Sequence, residues 1–86
     1  MDIDFKNAVK DLEKMNIKFS KEDKCILYGL YNQSLFGDNI NPKPSFLDYN
    51  GRRKWYSWNR YKGKTKIEAQ KQYVNYVKLL KMVNIF

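Results

Sequence analysis

Residues 20–37, with the sequence SKEDKCILYGLYNQSLFG, decide the fold class of this chain. Ser20, followed three residues later by Asp23, is a variant of the capping box with which helices begin. Gly37 supplies the residue type that commonly ends a helix. The segment therefore predicts a helix over about 21–36. Its apolar face is formed by Leu27, Leu30, Tyr31, Ser34 and Leu35.

The rest of the chain repeats this helical pattern on both sides of that segment. Apolar residues recur at three- and four-residue steps, and Thr65 with Glu68 forms another capping box. No stretch of useful length alternates between apolar and polar residues as a strand does. We therefore expect an all-α protein with four helices, forming a single domain over residues 1–86. The three further helices are expected at about 3–16, at about 51–61 and from Thr65 to about 83.

A long connection at 37–50 separates the second and third helices. It is rich in asparagine, proline, serine and aspartate, which favour turns. Such a length is unusual between the helices of a bundle, and long loops often carry function. We expect Phe46, Leu47 and Tyr49 to pack this connection against the core.

Length and composition limit the classes of function that are open to the chain. Its 86 residues allow one small core. The absence of histidine and the presence of a single cysteine, Cys25, argue against an intrachain disulfide, a zinc cluster and a Ser–His or Cys–His catalytic pair. No glycine-rich phosphate loop of the Walker type occurs. A binding module without metal or catalytic residues is therefore expected rather than an enzyme.

The charge balance favours an anionic partner. Seventeen Lys and Arg against nine Asp and Glu give a net charge of +8. Nucleic acid, membrane headgroups and phosphorylated small molecules all fit such a surface. The basic triplet 52–54 is expected to open the third helix, where backbone N–H groups would add to an anion site. A solvated charged face is the other interpretation of the triplet, and both remain open.

Several aromatic side chains are candidates for ligand contact. Tyr28 and Tyr31 share one face of the second helix, where they would either pack in the core or stack on a planar base. Both interpretations remain open on the residues alone. Trp55 and Trp58 are expected in the core, and Cys25 is expected to act as a small buried apolar residue.

The first residues give no sign of a targeting segment. The stretch MDIDF is acidic and lacks the basic and apolar regions of a signal peptide. No apolar stretch approaches the ~18 residues that a membrane span needs. A reducing, cytoplasmic environment is the expected location.

The motifs between residues 28 and 63 are specific in combination. They resemble the acyl-CoA-binding protein family, and the similarity runs from Phe5 to about Lys81 without a needed gap. The run KWYSWN with KG downstream is the most specific part. The matching motifs are YGLYNQ at 28–33, GD at 37–38, PSFLD at 44–48, GRRKWYSWN at 51–59 and KG at 62–63.

This resemblance implies a fold and a function. The fold would be an up-down-down-up four-helix bundle. The function would be non-catalytic, one-to-one binding of medium- and long-chain acyl-CoA thioesters, by which the protein acts as an intracellular carrier and forms an acyl-CoA pool. Acyl-CoA is then the bound ligand, and no cofactor is expected. The protein would be a monomer that at most transiently contacts membranes or acyl-CoA-using enzymes, and it would not bind nucleic acid.

The resemblance also assigns residues to the ligand. It implies that Tyr31 packs on the adenine, that Tyr28 and Lys54 bind the ribose 3′-phosphate, and that Tyr73 lines the site. The residues expected at the CoA headgroup are Tyr28, Tyr31, Asn32, Lys54, Tyr73 and Lys14. The residues expected near the acyl chain are Phe5, Val9, Leu12 and Cys25.

The chain departs from the family pattern at charged positions. Asn32 stands where the family usually has a lysine, which keeps hydrogen bonding but removes a charge. Glu13 replaces another common lysine, beside Lys14. Lys24 and Arg53 stand where many members carry Met or Ala against the acyl chain, and their long stems would still cover the chain.

Two other functions fit parts of the sequence. The charge of +8 and the basic triplet suit a helical nucleic-acid module, whose affinity would depend steeply on salt. Small relatives of the resembled family also serve as protein-interaction modules, although no specific partner motif is present. Acyl-CoA binding is the leading hypothesis because the resemblance covers nearly the whole chain.

Overall fold

Four α-helices make up most of residues 2–83, which are the residues described by this computed structural model. No strand occurs within that range, so the prediction of an all-α fold with four helices is confirmed. Within the same range, no helix is both long and apolar enough to cross a membrane. The helices are α1 Ile3–Lys14, α2 Lys21–Phe36, α3 Tyr49–Asn59 and α4 Lys66–Val83.

The predicted caps set the ends of α2. The backbone N–H of Asp23 donates to Ser20 Oγ at 3.0 Å, and the Ser20 N–H donates to the Asp23 carboxylate at 3.4 Å. At the other end Gly37 has a φ of 78°, and its N–H donates to the Gln33 carbonyl. A left-handed backbone is strained for residues with a Cβ, which explains why glycine ends this helix.

The third helix begins earlier than the sequence pattern predicts. Its first residue is Tyr49, because Asp48 acts as the N-cap and accepts the Gly51 N–H at 2.9 Å. The basic triplet 52–54 therefore follows the first turn of the helix. The prediction that this triplet opens α3 is wrong. The first helix also stops at Lys14, two residues before its predicted end.

The core lies where α2 packs against both α3 and α4, and α1 packs against α4. The backbones of α2 and α3 come close together at Gly29, where an added Cβ would lie 2.1 Å from the Ser57 carbonyl oxygen. A glycine at this position lets the two backbones meet. The buried core residues are Phe5, Ala8, Leu27, Leu30, Tyr61, Tyr73, Val77 and Leu80.

The connection between α2 and α3 is not attached by its apolar residues. Phe46, Leu47 and Tyr49 are exposed, so the prediction that they pack against the core is wrong. The indole N–H of Trp55 donates instead to the Asn41 carbonyl at 2.8 Å, and that of Trp58 donates to a loop carbonyl at the same distance. A half-buried indole N–H needs a hydrogen-bond acceptor, and the carbonyls of an irregular loop need donors. The indole N–H groups therefore pair with the loop carbonyls.

A buried amide ties this connection to the turn before α4. The Gln33 side chain is fully buried, and its Nε2 donates to the Asp38 carboxylate and to the Lys64 carbonyl, both at 2.8 Å. The Gly63 N–H donates to the same carboxylate oxygen at 2.8 Å. These two donors lower the pKa of Asp38, with the Gly63 bond as the larger cause. The polar network ties the C-terminal end of α2 to the turn before α4.

Candidate ligand-binding site

A cleft of about 470 Å³ lies between α2 and α3. Each helix contributes one stripe of residues at positions i, i+3, i+4 and i+7, which is the spacing that puts side chains on one face. The cleft is within the size range of small-molecule sites. It is lined by Lys21, Lys24, Cys25 and Tyr28 from α2 and by Asn50, Arg53, Lys54 and Ser57 from α3.

The cleft is strongly positive. Four of its eight lining residues are cations, and none is a carboxylate. None of the four has an ion-pair partner among residues 2–83, where the salt bridge observed is the one between Lys81 and Asp11. Cations without internal partners are available to an anionic ligand. The four cations are Lys21, Lys24, Arg53 and Lys54.

The uncharged residues of the cleft add a phenol, a thiol, an amide and a hydroxyl. Tyr28 is 36% exposed. Cys25 is half-buried and lines the cleft, so the expectation of a buried cysteine is wrong in part. Ser57 is buried, and its hydroxyl donates to the Arg53 carbonyl at 2.6 Å. This arrangement can bind an anion and cover an apolar group, because the cations have long aliphatic stems.

An aromatic cluster adjoins the cleft on α2. The rings of Phe5, Tyr31 and Tyr73 lie with their centroids 5.1–6.2 Å apart, which joins α1, α2 and α4. Phe5 and Tyr73 are almost fully buried, whereas Tyr31 is 38% exposed. Tyr31 is therefore a partly open ring supported from below by two buried rings. Such a rigid ring suits stacking on a planar group.

Burial also changes the titration of Tyr73. Its pKa is raised to about 12, chiefly by loss of solvation and also by the neighbouring Tyr31 and Glu13. The pKa of Tyr76 is likewise raised to about 12, by burial and by the hydrogen bond that its hydroxyl donates to Asp23. Both phenols are therefore neutral hydrogen-bond donors at physiological pH.

These shifts predict a loss of stability in alkali. Unfolded tyrosine ionises near pH 10, whereas Tyr73 and Tyr76 stay protonated in the folded protein until about 12. The contribution of these two phenols to the free energy of unfolding should therefore be constant up to about pH 10 and should fall between about 10 and 12. Urea titrations at several pH values measure it. Tyr73→Phe should reduce this loss, whereas the control Tyr49→Phe, at an exposed ring, should retain it.

Four of the six sequence-predicted headgroup residues do not line the cleft: Tyr31 and Tyr73, which belong to the aromatic cluster, and Asn32 and Lys14. Asn32 donates its side-chain amide to the Tyr28 carbonyl at 2.9 Å, within its own helix. Asn32 is neutral, and this hydrogen bond directs its amide to its own helix. Lys14 is exposed at the end of α1. From the predicted acyl-chain set, Val9 and Leu12 are partly buried against the core.

The cleft contains residues that the sequence analysis did not single out for a role. Lys21, Asn50 and Ser57 line it together with the predicted Tyr28 and Lys54. The helical spacing of the two stripes is present in the sequence. This spacing identifies the cleft residues only once the two stripes are known to face each other across one cleft.

Known proteins resemble this chain along most of its length. The sequence model described as "Acyl CoA binding protein" matches residues 2–77. The chain belongs to the acyl-CoA-binding protein family. It is 36% identical over 73 residues to an acyl-CoA-binding protein homolog of Drosophila melanogaster, covering 85% of each chain. It is also 37% identical over 73 residues to acyl-CoA-binding protein 2 of Saccharomyces pastorianus, covering 85% of this chain and 84% of that protein.

Solved structures of the family share the fold. The crystal structure of Oryza sativa acyl-CoA-binding protein 2 superimposes with a TM-score of 0.87 at 33% identity, covering 92% of this chain and 88% of that one. Proteins of the acyl-CoA-binding protein family bind their ligand without catalysing a reaction on it, which agrees with the expected binding module. Family and fold do not favour the alternative of a nucleic-acid-binding module.

Proposed function

We propose that this protein binds medium- and long-chain acyl-CoA thioesters in the cleft between α2 and α3 and carries them without altering them. The observation that supports this most strongly is the juxtaposition, in a chain of the acyl-CoA-binding protein family, of a cation-lined cleft and a partly open tyrosine ring. A CoA thioester has both an anionic, aromatic headgroup and an apolar tail. The cleft and the adjoining ring offer a complementary surface for each part.

The headgroup is assigned to α2 and α3. Tyr31 stacks on the adenine, with the buried rings of Phe5 and Tyr73 beneath it. Tyr28 and Lys54 bind the ribose 3′-phosphate, and both line the cleft. A phosphate monoester carries roughly −1.5 to −2 charges near neutral pH, so a phenol donor and an ammonium group suit it.

The other cations of the cleft compensate for the departure at Asn32. Asn32 is neutral and its amide donates within α2, so the charge that the family resemblance places there is missing. Arg53 and Lys24 line the cleft that contains Lys54 and have no carboxylate partner among residues 2–83. We assign them to the neutralisation of the ligand's phosphates.

The acyl chain is assigned to the apolar surface at Val9, Leu12 and Cys25, with the stems of the cleft cations covering it. Phe5 is almost fully buried, so it supports the site from beneath rather than lining it. Removing each methylene from water is worth about 0.8 kcal/mol. Chain burial should therefore set much of the affinity, while the headgroup orients the ligand.

The remaining parts of the proposal concern the state of the protein. We infer that residues 1–86 act as one domain that binds one ligand as a monomer, and that the protein works in the cytoplasm. Any contact with a membrane or an acyl-CoA-using enzyme would be transient, because a carrier must release its ligand. No cofactor or nucleic acid takes part in the proposed cycle.

Calorimetric titration tests the function directly. Palmitoyl-CoA is expected to bind with a one-to-one stoichiometry and far more tightly than either free palmitate or free CoA, because only the thioester presents both the headgroup and the tail. Equal affinity for palmitate and palmitoyl-CoA would contradict the proposal, as would the absence of thioester binding. A short RNA in the same buffer is the control for non-specific attraction to the positive charge.

A further inference from the structure

Two lining residues of the cleft have no part of the ligand assigned to them by the proposed function. Lys21 on α2 and Asn50 on α3 both line the cleft, and both are exposed. We refer to these two residues as the outer end of the cleft. An ammonium group and an amide can both donate hydrogen bonds to an oxyanion, so the outer end is chemically suited to an anionic group.

The outer end is remote from the place where the backbones of α2 and α3 come close together. That place is marked by Gly29, whose added Cβ would meet the Ser57 carbonyl oxygen. Lys21 precedes Gly29 by eight residues, and Asn50 precedes Ser57 by seven, which is about 12 Å and about 10 Å along their helices. Tyr28, assigned to the 3′-phosphate, adjoins Gly29 in the chain. The outer end therefore meets a part of the ligand that lies away from the 3′-phosphate.

The lining of the cleft offers little apolar surface to the end of a hydrocarbon chain. None of its eight residues has an aliphatic side chain. The stems of lysine and arginine can cover methylenes, but the charged groups at their tips remain hydrated. A terminal methyl group gains by leaving water only where apolar atoms surround it. An acyl chain that ends in an anionic group therefore suits the outer end better than a chain that ends in a methyl group.

The charge of Lys21 has no stabilising role within the described part of the chain. Lys21 is the first residue of α2, and a cation at the N-terminus of a helix is repelled by the helix dipole. It also has no ion-pair partner among residues 2–83. An anion bound from outside the chain would offset this repulsion, so the ammonium group is available to a ligand.

We propose that the outer end selects acyl-CoA thioesters whose acyl chain carries a carboxylate at its far end, which are the mono-CoA thioesters of dicarboxylic acids. Lys21 is the residue that determines this specificity, and Asn50 donates to the same carboxylate from α3. Because both residues are exposed, the carboxylate keeps part of its hydration when it binds. The inference rests on the proposed function, since the CoA headgroup must first occupy the rest of the cleft.

Calorimetry with two ligands of equal chain length tests this specificity. Dodecanedioyl-CoA, which has one free carboxylate, should bind about fivefold more tightly than dodecanoyl-CoA, because an exposed ion pair adds a modest attraction. A site lined by apolar residues would give the opposite order, since the carboxylate would lose its hydration without a partner. The advantage of dodecanedioyl-CoA should decrease as salt is added.

Lys21→Met removes the charge and keeps an apolar stem, so it should remove most of the preference while dodecanoyl-CoA binds as before. The control Lys71→Met, at an exposed position on α4, should retain the preference. Equal or weaker binding of dodecanedioyl-CoA to the unmodified protein would overturn the inference, as would an equal loss of affinity for both ligands in Lys21→Met. If neither thioester bound, the proposed function itself would fail, so the two failures are distinguishable.

Discussion

Gly29→Ala should destabilise the protein by about 3 kcal/mol, although the same change in an open helix would stabilise it by about 0.5–1 kcal/mol. The new Cβ would lie 2.1 Å from the Ser57 carbonyl oxygen and 2.6 Å from the Tyr61 ring. A backbone oxygen cannot move aside by changing rotamer, so α2 and α3 must separate. In a domain of this size the melting temperature should fall by roughly 12 °C or more.

Gly63→Ala is the comparison for this prediction. Gly63 has a φ of 90°, but an added Cβ there meets no atom within 4 Å. Backbone strain alone should cost roughly 1–2 kcal/mol. A Gly29→Ala variant as stable as the unmodified protein would show that the helices do not meet as described. Because separation also alters the cleft, Gly29→Ala should weaken palmitoyl-CoA binding, whereas Gly63→Ala should not.

Lys54→Gln should weaken palmitoyl-CoA binding about tenfold to a hundredfold, because a hydrogen bond between charged groups is worth about 1.5–3 kcal/mol. Lys54 lines the cleft together with Tyr28 and has no carboxylate partner among residues 2–83. Its removal therefore leaves no buried carboxylate unpaired, and the fold should keep its stability. Calorimetry with palmitoyl-CoA measures the loss.

A ligand without the 3′-phosphate separates a specific contact from general attraction. Palmitoyl-dephospho-CoA should bind the unmodified protein and Lys54→Gln with nearly equal affinity, because the group that Lys54 contacts is absent. Lys71→Gln removes the same charge from an exposed position on α4 and should change affinity for either ligand only slightly. If Lys71→Gln and Lys54→Gln weakened binding equally, the assignment of Lys54 to the 3′-phosphate would fail.

The helices and their caps were predictable because their energies are local. Ser20 with Asp23, and Thr65 with Glu68, form the bonds that their spacing predicts. The start of α3 was misplaced because Asp48 favours both turns and helix caps, and the sequence does not distinguish the two.

The attachment of the long connection was not predictable from its own residues. An apolar side chain such as Phe46 is expected to be buried, but burial depends on whether core space lies within reach. The connection is instead held by the indole N–H groups of Trp55 and Trp58, which donate hydrogen bonds to its carbonyls. The side chain of Asn32 shows the same limit, because its donor can bind either a ligand or its own helix.

The sequence by itself determined the four helices, their principal caps, the excess of positive charge and the motifs that mark the family. All of these depend on residues that are near in the chain or on simple counts. Only the tertiary structure decided which faces of the helices pack against each other. The distance between α2 and α3 is limited by the contact of Gly29 with Ser57, and that spacing places four cations in one cleft. Distances between segments far apart in the chain result from packing the whole core, so no local pattern contains them.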